Sequence, residues 1–259
     1  MKLIKRKGVY LLSIESNRKK YLFLLDTGSE FSYIYKNSLE DLTLKKLSKS
    51  ILLRGVGGEN IIREYVNIDR IKIGNIAIEN QDFLVSVDIS LKKLLRIDGV
   101  LGWDILKKFD FSLDFYNENM EFFTVNNKSK LTTSNTYEYT LLNETFPIFS
   151  AKYSNNDVLF LLDTGSNLSY IVNENLVFKN KKISFSISIG INGIHFSKVC
   201  KVNPIPIIDR NGKYYKTPRL LYEKYSQKYD FLLGCNSFKN KIVYFFNSNN
   251  LVLVEDKNI

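Results

Sequence analysis

Leu22–Ile34 (LFLLDTGSEFSYI) returns almost unchanged later in the chain as Leu159–Ile171 (LFLLDTGSNLSYI). The two copies differ only where Glu30-Phe31 is replaced by Asn167-Leu168. A single Asp-Thr-Gly-Ser is a common turn composition and would carry little information. Two copies in matching apolar surroundings predict two related halves, each of which contributes one aspartate to a shared site.

A second repeated element follows each copy in the same order. Asp98–Gly102 (DGVLG) in the first half corresponds to Asp230–Gly234 (DFLLG) in the second. Between the halves, Asn126–Asn135 is polar and lacks apolar periodicity, which is typical of a linker. The chain is therefore predicted to contain an N-terminal lobe, a linker and a C-terminal lobe, at residues 1–128, 129–135 and 136–259.

The composition indicates a folded, strand-rich protein. Apolar residues make up 44% of the 259 residues, with 18 Phe and 16 Tyr against four Pro, which is ample for two hydrophobic cores. Short runs rich in Val, Ile, Thr, Tyr and Phe predict a mostly β fold with few short helices. No run approaches the roughly 18 apolar residues of a membrane span, so we expect a soluble chain without a transmembrane segment.

The net charge of +10 is compatible with an anionic partner. No nucleic-acid-binding motif accompanies the charge, however, and the lysines are scattered among abundant asparagines. Runs such as Lys92-Lys93 are therefore interpreted as solvated faces.

Histidine and cysteine are scarce in this chain. His195 is the only histidine, which disfavours a Ser-His-Asp site or a multi-histidine metal centre. No metal or other cofactor is predicted. Cys200 and Cys235 both lie in the second half, and their spacing leaves open either a disulfide or two free buried thiols.

The repeated aspartates, Asp26 and Asp163, predict a particular chemistry if they meet. Two carboxylates placed face to face cannot both ionise cheaply, so they share one proton and titrate in two separated steps. A water between them can then lose a proton to the ionised group while the protonated group donates to a peptide carbonyl oxygen. In this scheme the nucleophile is water and no covalent acyl-enzyme forms.

These residues resemble the two-lobed aspartic proteases of the pepsin and retropepsin clan, and the resemblance covers nearly the whole chain. It implies a bilobal fold of two related β-barrel-like lobes with pseudo-twofold symmetry. It also implies a monomeric, metal-independent aspartic endopeptidase that cuts an extended polypeptide held between the lobes. Asp26 and Asp163 would be its catalytic pair.

The resemblance implies supporting roles for the residues around the aspartates. Thr27 and Thr164 would exchange hydrogen bonds across the pseudo-twofold axis. The hydroxyls of Ser29 and Ser166 would bond the outer carboxylate oxygens. Glycines would allow the tight turn after each aspartate and support each loop from behind, at Gly28, Gly165, Gly102 and Gly234.

A β-hairpin flap over the substrate is a further feature of this clan. Arg54–Asn60 (RGVGGEN) contains the best candidate for its tip, formed by Gly55, Val56, Gly57 and Gly58. Glycines there would permit opening and closing. An ordinary hairpin turn is the alternative interpretation of this segment.

The number of flaps is open at this point. The interval from Gly28 to Gly74 is almost twice as long as the interval from Gly165 to Gly190. That difference favours one flap, from the first lobe. A competing alignment pairs Gly55–Gly58 with Gly190–Gly193 and gives two flaps.

Three aromatic residues mark departures from the pepsin pattern. Tyr33 stands seven residues after the first aspartate, where pepsins carry a Trp. Tyr65 is a candidate for the flap tyrosine of pepsins. Trp103 follows the second repeated element and is interpreted as a core or lobe-interface aromatic.

Two other functions share the predicted fold. A binding or scaffolding protein could capture peptides without cleaving them, and a narrow-specificity processing protease could cut a single partner. Neither substrate nor compartment follows from the sequence. For a peptidase with this pair of aspartates, we expect activity to be highest below neutral pH.

Overall fold

Strands dominate the computed structural model, in agreement with the mostly β composition. The structure describes residues 1–40, 42, 44–54, 60–87, 90–123, 136–142, 145–153, 156–173, 182–190, 193–202, 206–209, 214–216, 220–222 and 229–257. Within these ranges the α-helices are α1 (Ser90–Leu95) and α2 (Trp103–Leu106). The predicted linker, residues 129–135, lies outside the described residues, and the domain division at that point stays a prediction.

The strands of the first half all precede the predicted linker. They are β1 (Ile4–Arg6), β2 (Val9–Ser16), β3 (Lys19–Leu25), β4 (Tyr33–Tyr35), β5 (Leu44–Arg54), β6 (Asn60–Ile73), β7 (Ile76–Ser86), β8 (Gly99–Leu101), β9 (Asp110–Asp114) and β10 (Asn119–Phe123).

The strands of the second half follow it. They are β11 (Thr136–Thr140), β12 (Ile148–Tyr153), β13 (Asn156–Leu162), β14 (Tyr170–Ile171), β15 (Lys182–Gly190), β16 (Gly193–Val202), β17 (Pro206–Ile208), β18 (Tyr214–Lys216), β19 (Leu220–Tyr222), β20 (Phe231–Leu233), β21 (Lys241–Phe246) and β22 (Leu251–Asp256).

The first lobe is an eight-stranded sheet in the order β1-β2-β3-β8-β4-β7-β6-β5. An additional pairing of β2 with β6, which places Ile14 opposite Ile73, curls this sheet towards a barrel. Inside it, β3 is buried on both faces: Phe23 and Leu25 join one hydrophobic cluster, and Leu24 joins another. The continuous apolar run before the first aspartate is therefore a strand covered on both sides.

The second lobe repeats this topology around its own apolar run. It is a nine-stranded sheet in the order β15-β16-β19-β14-β20-β13-β12-β17-β18. In each lobe the strand that leads to the aspartate pairs in parallel with the second repeated element, β3 with β8 and β13 with β20. The structure thus has two related β lobes, as expected.

A third sheet is built from both halves, in the order β10-β9-β21-β22-β11. Its central pairing joins β9 of the first half to β21 of the second, with Phe111 opposite Phe245. The rings of these two residues stack with centroids 4.5 Å apart, and Trp103 lies 5.6 Å from the Phe245 ring. Trp103 is therefore a buried aromatic between the halves, as interpreted from the sequence.

A long β-hairpin extends from each lobe. In the first lobe β5 and β6 pair from Leu44 to Arg54, with Arg54 opposite Asn60. In the second lobe β15 and β16 pair from Lys182 to Gly190, with Gly190 opposite Gly193. The inference that the second lobe lacks room for an equal hairpin is wrong, because Gly190 ends the outgoing strand of its hairpin and corresponds to Arg54 rather than to Gly74.

Within the part of the chain that the structure describes, no helix is both long enough and apolar enough to cross a membrane.

Candidate active site

Each repeated aspartate begins the loop that follows a central strand. The backbone N–H of Asp26 donates to the carbonyl oxygen of Leu101 (3.0 Å), and that of Asp163 donates to Leu233 (2.9 Å). The parallel pairing with β8 and β20 therefore continues into the loops themselves. Because the two sheets are related by the same topology, the loops meet at the contact between the lobes.

The two carboxyl groups lie close together, within hydrogen-bonding reach of each other. Both aspartates are partly exposed. A methyl group on Gly28 would overlap the carboxyl carbon of Asp163, and a methyl group on Gly165 would overlap that of Asp26. Glycine at these two positions is thus needed because the opposite carboxyl group occupies the space of a side chain.

Burial raises the pKa of both aspartates. The pKa of Asp26 is raised well above its usual range, first by burial and then by the charge of Asp163 and the hydrogen bond with it. Burial also raises the pKa of Asp163, but backbone N–H donors and the hydrogen bond from Asp26 oppose that rise. Two carboxyl groups in such close contact cannot both ionise cheaply, so they hold one proton between them.

Backbone N–H groups are directed at both carboxyl groups. Asp163 Oδ1 accepts the N–H groups of Gly165 (2.9 Å) and Ser166 (3.1 Å). At Asp26, the N–H of Gly28 donates to Oδ1 at 3.0 Å, and the N–H of Ser29 also lowers the pKa. Donors directed at a carboxylate favour its charged form, so these groups oppose the effect of burial at both aspartates.

The two threonines bind the loops to each other. The N–H of Thr27 donates to Thr164 Oγ1 (3.0 Å), and the N–H of Thr164 donates to Thr27 Oγ1 (3.1 Å). Each hydroxyl donates onward across the axis, Thr27 to the Leu162 carbonyl (2.7 Å) and Thr164 to the Leu25 carbonyl (2.8 Å). Both side chains are fully buried. The reciprocal bonds expected of this pair are present.

The serines do not make the bonds that the resemblance implied. The hydroxyl of Ser29 donates to the carbonyl oxygen of Phe31 (2.8 Å), and that of Ser166 donates to Leu168 (2.8 Å). Each hydroxyl closes its own turn through the carbonyl two residues later. The backbone N–H of Ser166, not its hydroxyl, reaches the aspartate.

Gly102 and Gly234 support the loops from behind. A methyl group on either glycine would overlap the backbone of the loop, at Phe31 in the first lobe and at Leu168 in the second. The residue after each glycine donates its N–H to the carbonyl of the loop serine, Trp103 to Ser29 at 2.7 Å and Cys235 to Ser166 at 2.8 Å.

Two buried serines belong to the site although the sequence did not single them out. Ser32 Oγ accepts the N–H of Gly102 (2.9 Å) and donates to Asp104 Oδ1 (2.6 Å). In the second lobe Ser169 Oγ accepts the N–H of Gly234 and lies 2.6 Å from Asn236 Oδ1. The signal was available, because both serines lie inside the repeated stretch.

The aspartates of the second repeated element form a matching pair. Asp98 Oδ2 accepts the N–H of Leu22 (2.9 Å), and Asp230 Oδ2 accepts the N–H of Leu159 (2.8 Å). Each carboxylate thus holds the strand that leads to Asp26 or Asp163. Tyr229, directly before Asp230, was also missed; its pKa is raised by burial and then by the charge of Asp163.

Only some of the remaining predicted site residues lie in the part of the chain that the structure describes. The flap tip, Gly55–Gly58, lies outside the described residues, although the strands on either side of it are paired. Tyr65 lies on β6 opposite Leu84 and is partly exposed. Tyr33 is buried, and burial followed by the charge of Asp26 raises its pKa.

No disulfide is found among the residues that the structure describes. Cys235 is a free, buried thiol whose Sγ donates to the carbonyl of Thr164 (3.2 Å). Burial and the nearby carboxylates raise its pKa. The side chains of Cys200 and His195 lie outside the description.

Similarity to known proteins centres on the first lobe. Residues 12–105 match the aspartyl protease family model. A stretch of 99 residues is 27% identical to the retrovirus-related Pol polyprotein from transposon 412 of Drosophila melanogaster. The aligned stretch covers 38% of this chain and 8% of that polyprotein. The family match includes Asp26 and its loop, whereas Asp163 lies beyond it.

Proposed function

We propose that this protein is an aspartic endopeptidase in which Asp26 and Asp163 of a single chain activate one water molecule. The observation that carries the proposal is the direct contact of the two carboxyl groups, held by the reciprocal bonds of Thr27 and Thr164. The match of the first lobe to the aspartyl protease family supports the reaction class. The active unit is proposed to be a monomer, because one chain supplies both aspartates.

We assign the shared proton to Asp26, whose pKa is raised well above its usual range, and the negative charge to Asp163. Ionised Asp163 takes a proton from the water, whose oxygen bonds to the carbonyl carbon of the substrate. Asp26 gives its proton to the carbonyl oxygen, which produces a tetrahedral diol. Asp163 then returns its proton to the nitrogen as the C–N bond breaks, and one diol hydroxyl returns a proton to Asp26. Both carboxyl groups end in their starting state.

The hairpins β5–β6 and β15–β16 are proposed to be two flaps that cover the substrate. Their equivalent positions in the two sheets support the two-flap alignment over the one-flap interpretation. Helix α1 of the first lobe contacts the second-lobe hairpin, which suits a flap that reaches across the site. Closure over a bound peptide would exclude bulk water from the dyad.

A cleavage assay tests the function. Wild type, Asp26→Asn and Asp163→Asn are each incubated with a diverse peptide library between about pH 3 and pH 8, the range that brackets coupled carboxyl titrations. We expect wild type to release new peptide ends, identified by mass spectrometry, and both variants to release none. The proposal fails if wild type cuts no bond that both variants leave intact.

The same assay decides between the open alternatives. A catalytically silent peptide-binding protein would retain library peptides on the immobilised wild type without cleaving them. A narrow processing protease would cut a few members that share a sequence. Cleavage of many members with apolar residues at the cut would indicate general endopeptidase activity.

A further inference from the structure

Four basic residues lie in the turn after β1 and at the end of α1, two segments that Arg6 connects. We define the rim patch as Arg6, Lys7, Lys93 and Arg96. Arg6 joins its two parts, because its Nη1 donates to the carbonyl oxygens of Leu95 (2.7 Å) and Arg96 (3.3 Å). Lys7, Lys93 and Arg96 are exposed. The turn after β1 and the end of α1 thus form one cationic surface.

The described residues place no carboxylate against the rim patch. Among the residues that the structure describes, none of the four side chains forms an ion pair with a carboxylate. Asp98, close in sequence to α1, is already engaged by the N–H of Leu22 and the hydroxyl of Ser38. Uncompensated charges of one sign attract anions and raise their local concentration.

On the same helix, the ammonium group of Lys92 is engaged by neighbouring side chains. Its Nζ donates to Ser38 Oγ at 2.9 Å and lies 5.6 Å from the centre of the Tyr35 ring. Lys92 is therefore not a member of the rim patch. The solvated-face interpretation from the sequence treated Lys92 and Lys93 alike, whereas the structure separates them.

The rim patch is continuous with the loop that carries the second aspartate. Asn167 Nδ2 donates to the carbonyl oxygen of Lys7 at 3.4 Å. Gly8 packs so closely that an added methyl group would lie 3.0 Å from Asn167 Cβ. Asn167 belongs to the turn that begins at Asp163. The turn after β1 therefore packs against the loop that carries Asp163.

We propose that the rim patch binds an acidic segment of the polypeptide substrate, on one side of the cleaved bond. This proposal rests on the endopeptidase function proposed above and adds a substrate class to it. Charge complementarity and continuity with the Asp163 loop support a peptide occupant. The rim patch contains no aromatic side chain on which a nucleic acid base could stack.

The test uses peptides that share one cleavable core. In one set a run of glutamates flanks the core on either its N-terminal or its C-terminal side. In the other set glutamines replace those glutamates. Fluorescence anisotropy measures their binding to Asp26→Asn, and KM is measured with wild type. The variant is Lys93→Gln/Arg96→Gln. The matched control is Arg18→Gln/Lys19→Gln at the opposite end of β2, where Arg18 shares the positive φ of Arg96.

We expect a glutamate flank to tighten binding and lower KM about fivefold when it lies on one side of the core, and to have no such effect on the other side. A change of about fivefold is the size expected of a few exposed ion pairs. The preference should disappear in the patch variant, persist in the control variant, and weaken at high salt. Equal binding of both flanks, or an equal effect from either side, would overturn the proposal. So would stronger, patch-dependent binding of a labelled single-stranded oligonucleotide.

The two proposals can fail separately. If wild type cleaves neither peptide, the anisotropy measurement still decides whether the rim patch selects acidic segments. If wild type cleaves glutamate-flanked and glutamine-flanked peptides equally well, the endopeptidase function stands and the acidic-segment proposal is lost.

Discussion

Thr27 and Thr164 each donate a backbone N–H to the side-chain oxygen of the other, at 3.0 and 3.1 Å. Each side chain also donates to the strand before the opposite aspartate. Four buried hydrogen bonds therefore connect two loops that lie more than a hundred residues apart in the chain. The position of one carboxyl group relative to the other depends directly on this connection.

Loss of one of these hydroxyls should destabilise the protein strongly. Thr27→Val keeps the shape of the side chain but leaves the N–H of Thr164 and the carbonyl of Leu162 buried without a partner, at a cost of about 2–4 kcal/mol. Urea unfolding measures this loss, and kcat should fall with it. Thr27→Ser is the control, because it keeps the hydroxyl. Equal stability of the two variants would show that the hydroxyl contributes nothing.

The dyad should give a bell-shaped dependence of activity on pH. As pH falls through the lower titration step of the pair, the group that accepts the proton of the water becomes protonated and activity is lost. As pH rises through the upper step, the pair loses its proton and with it the donor to the carbonyl. The optimum lies between the two limbs and is expected below neutrality. Initial rates measured from acid to alkaline pH check this, and a flat or alkaline profile contradicts it.

The raised pKa of Asp104 predicts how the stability of the protein depends on pH. Burial, opposed by hydrogen bonds from Ser32 and Ile105, raises its pKa, and Asn236 takes its place in the second lobe. The folded state holds this proton more tightly than the unfolded chain does. Stability is therefore lost as pH rises from the ordinary pKa of an aspartate through the raised one.

Asp104→Asn should consequently raise the melting temperature near neutral pH and have a smaller effect at about pH 3, below the ordinary pKa of an aspartate. Asn can still accept from Ile105 and contact the Ser32 hydroxyl. Thermal melts of wild type and variant at both pH values make the comparison. A lower melting temperature of the variant at neutral pH would mean that the charge of Asp104 is stabilising.

Shortening each hairpin separately distinguishes one flap from two. In one variant a short glycine turn replaces residues 53–61 of the first hairpin, and in another it replaces residues 188–195 of the second. The strand pairing at the base of each hairpin stays in place. With two flaps, each deletion lowers kcat/KM on a peptide substrate, while the melting temperature changes little. Loss of activity from the first deletion alone would restore the one-flap interpretation.

The repeat made much of the fold and the centre of the site predictable. An apolar run that is buried on both faces and ends in Asp-Thr-Gly has few structural solutions, and its duplication at Asp26 and Asp163 implied a symmetric contact. The mostly β lobes followed from composition and short strand-like runs. Local sequence patterns of this kind are enough to predict a feature when the environment of each residue depends on its own strand.

The features that could not be predicted from the sequence depend on competition between near neighbours or on partners far along the chain. The hydroxyls of Ser29 and Ser166 were expected at the carboxylates, but a carbonyl two residues away competes for them. The second hairpin was underestimated because Gly190 was matched to Gly74 by its neighbours in sequence, whereas strand pairing matches it to Arg54. The rim patch depends on contact between β1 and α1, which no local pattern reports.

The sheet that joins the halves has a consequence for how the protein is made. Its β9 strand pairs with β21, so neither half can complete its own hydrogen bonding before synthesis has passed Phe246. A nascent chain that carries only the first aspartate would expose an unpaired edge and half of an aromatic stack. The two aspartates therefore come together only after both halves of this sequence have been synthesised.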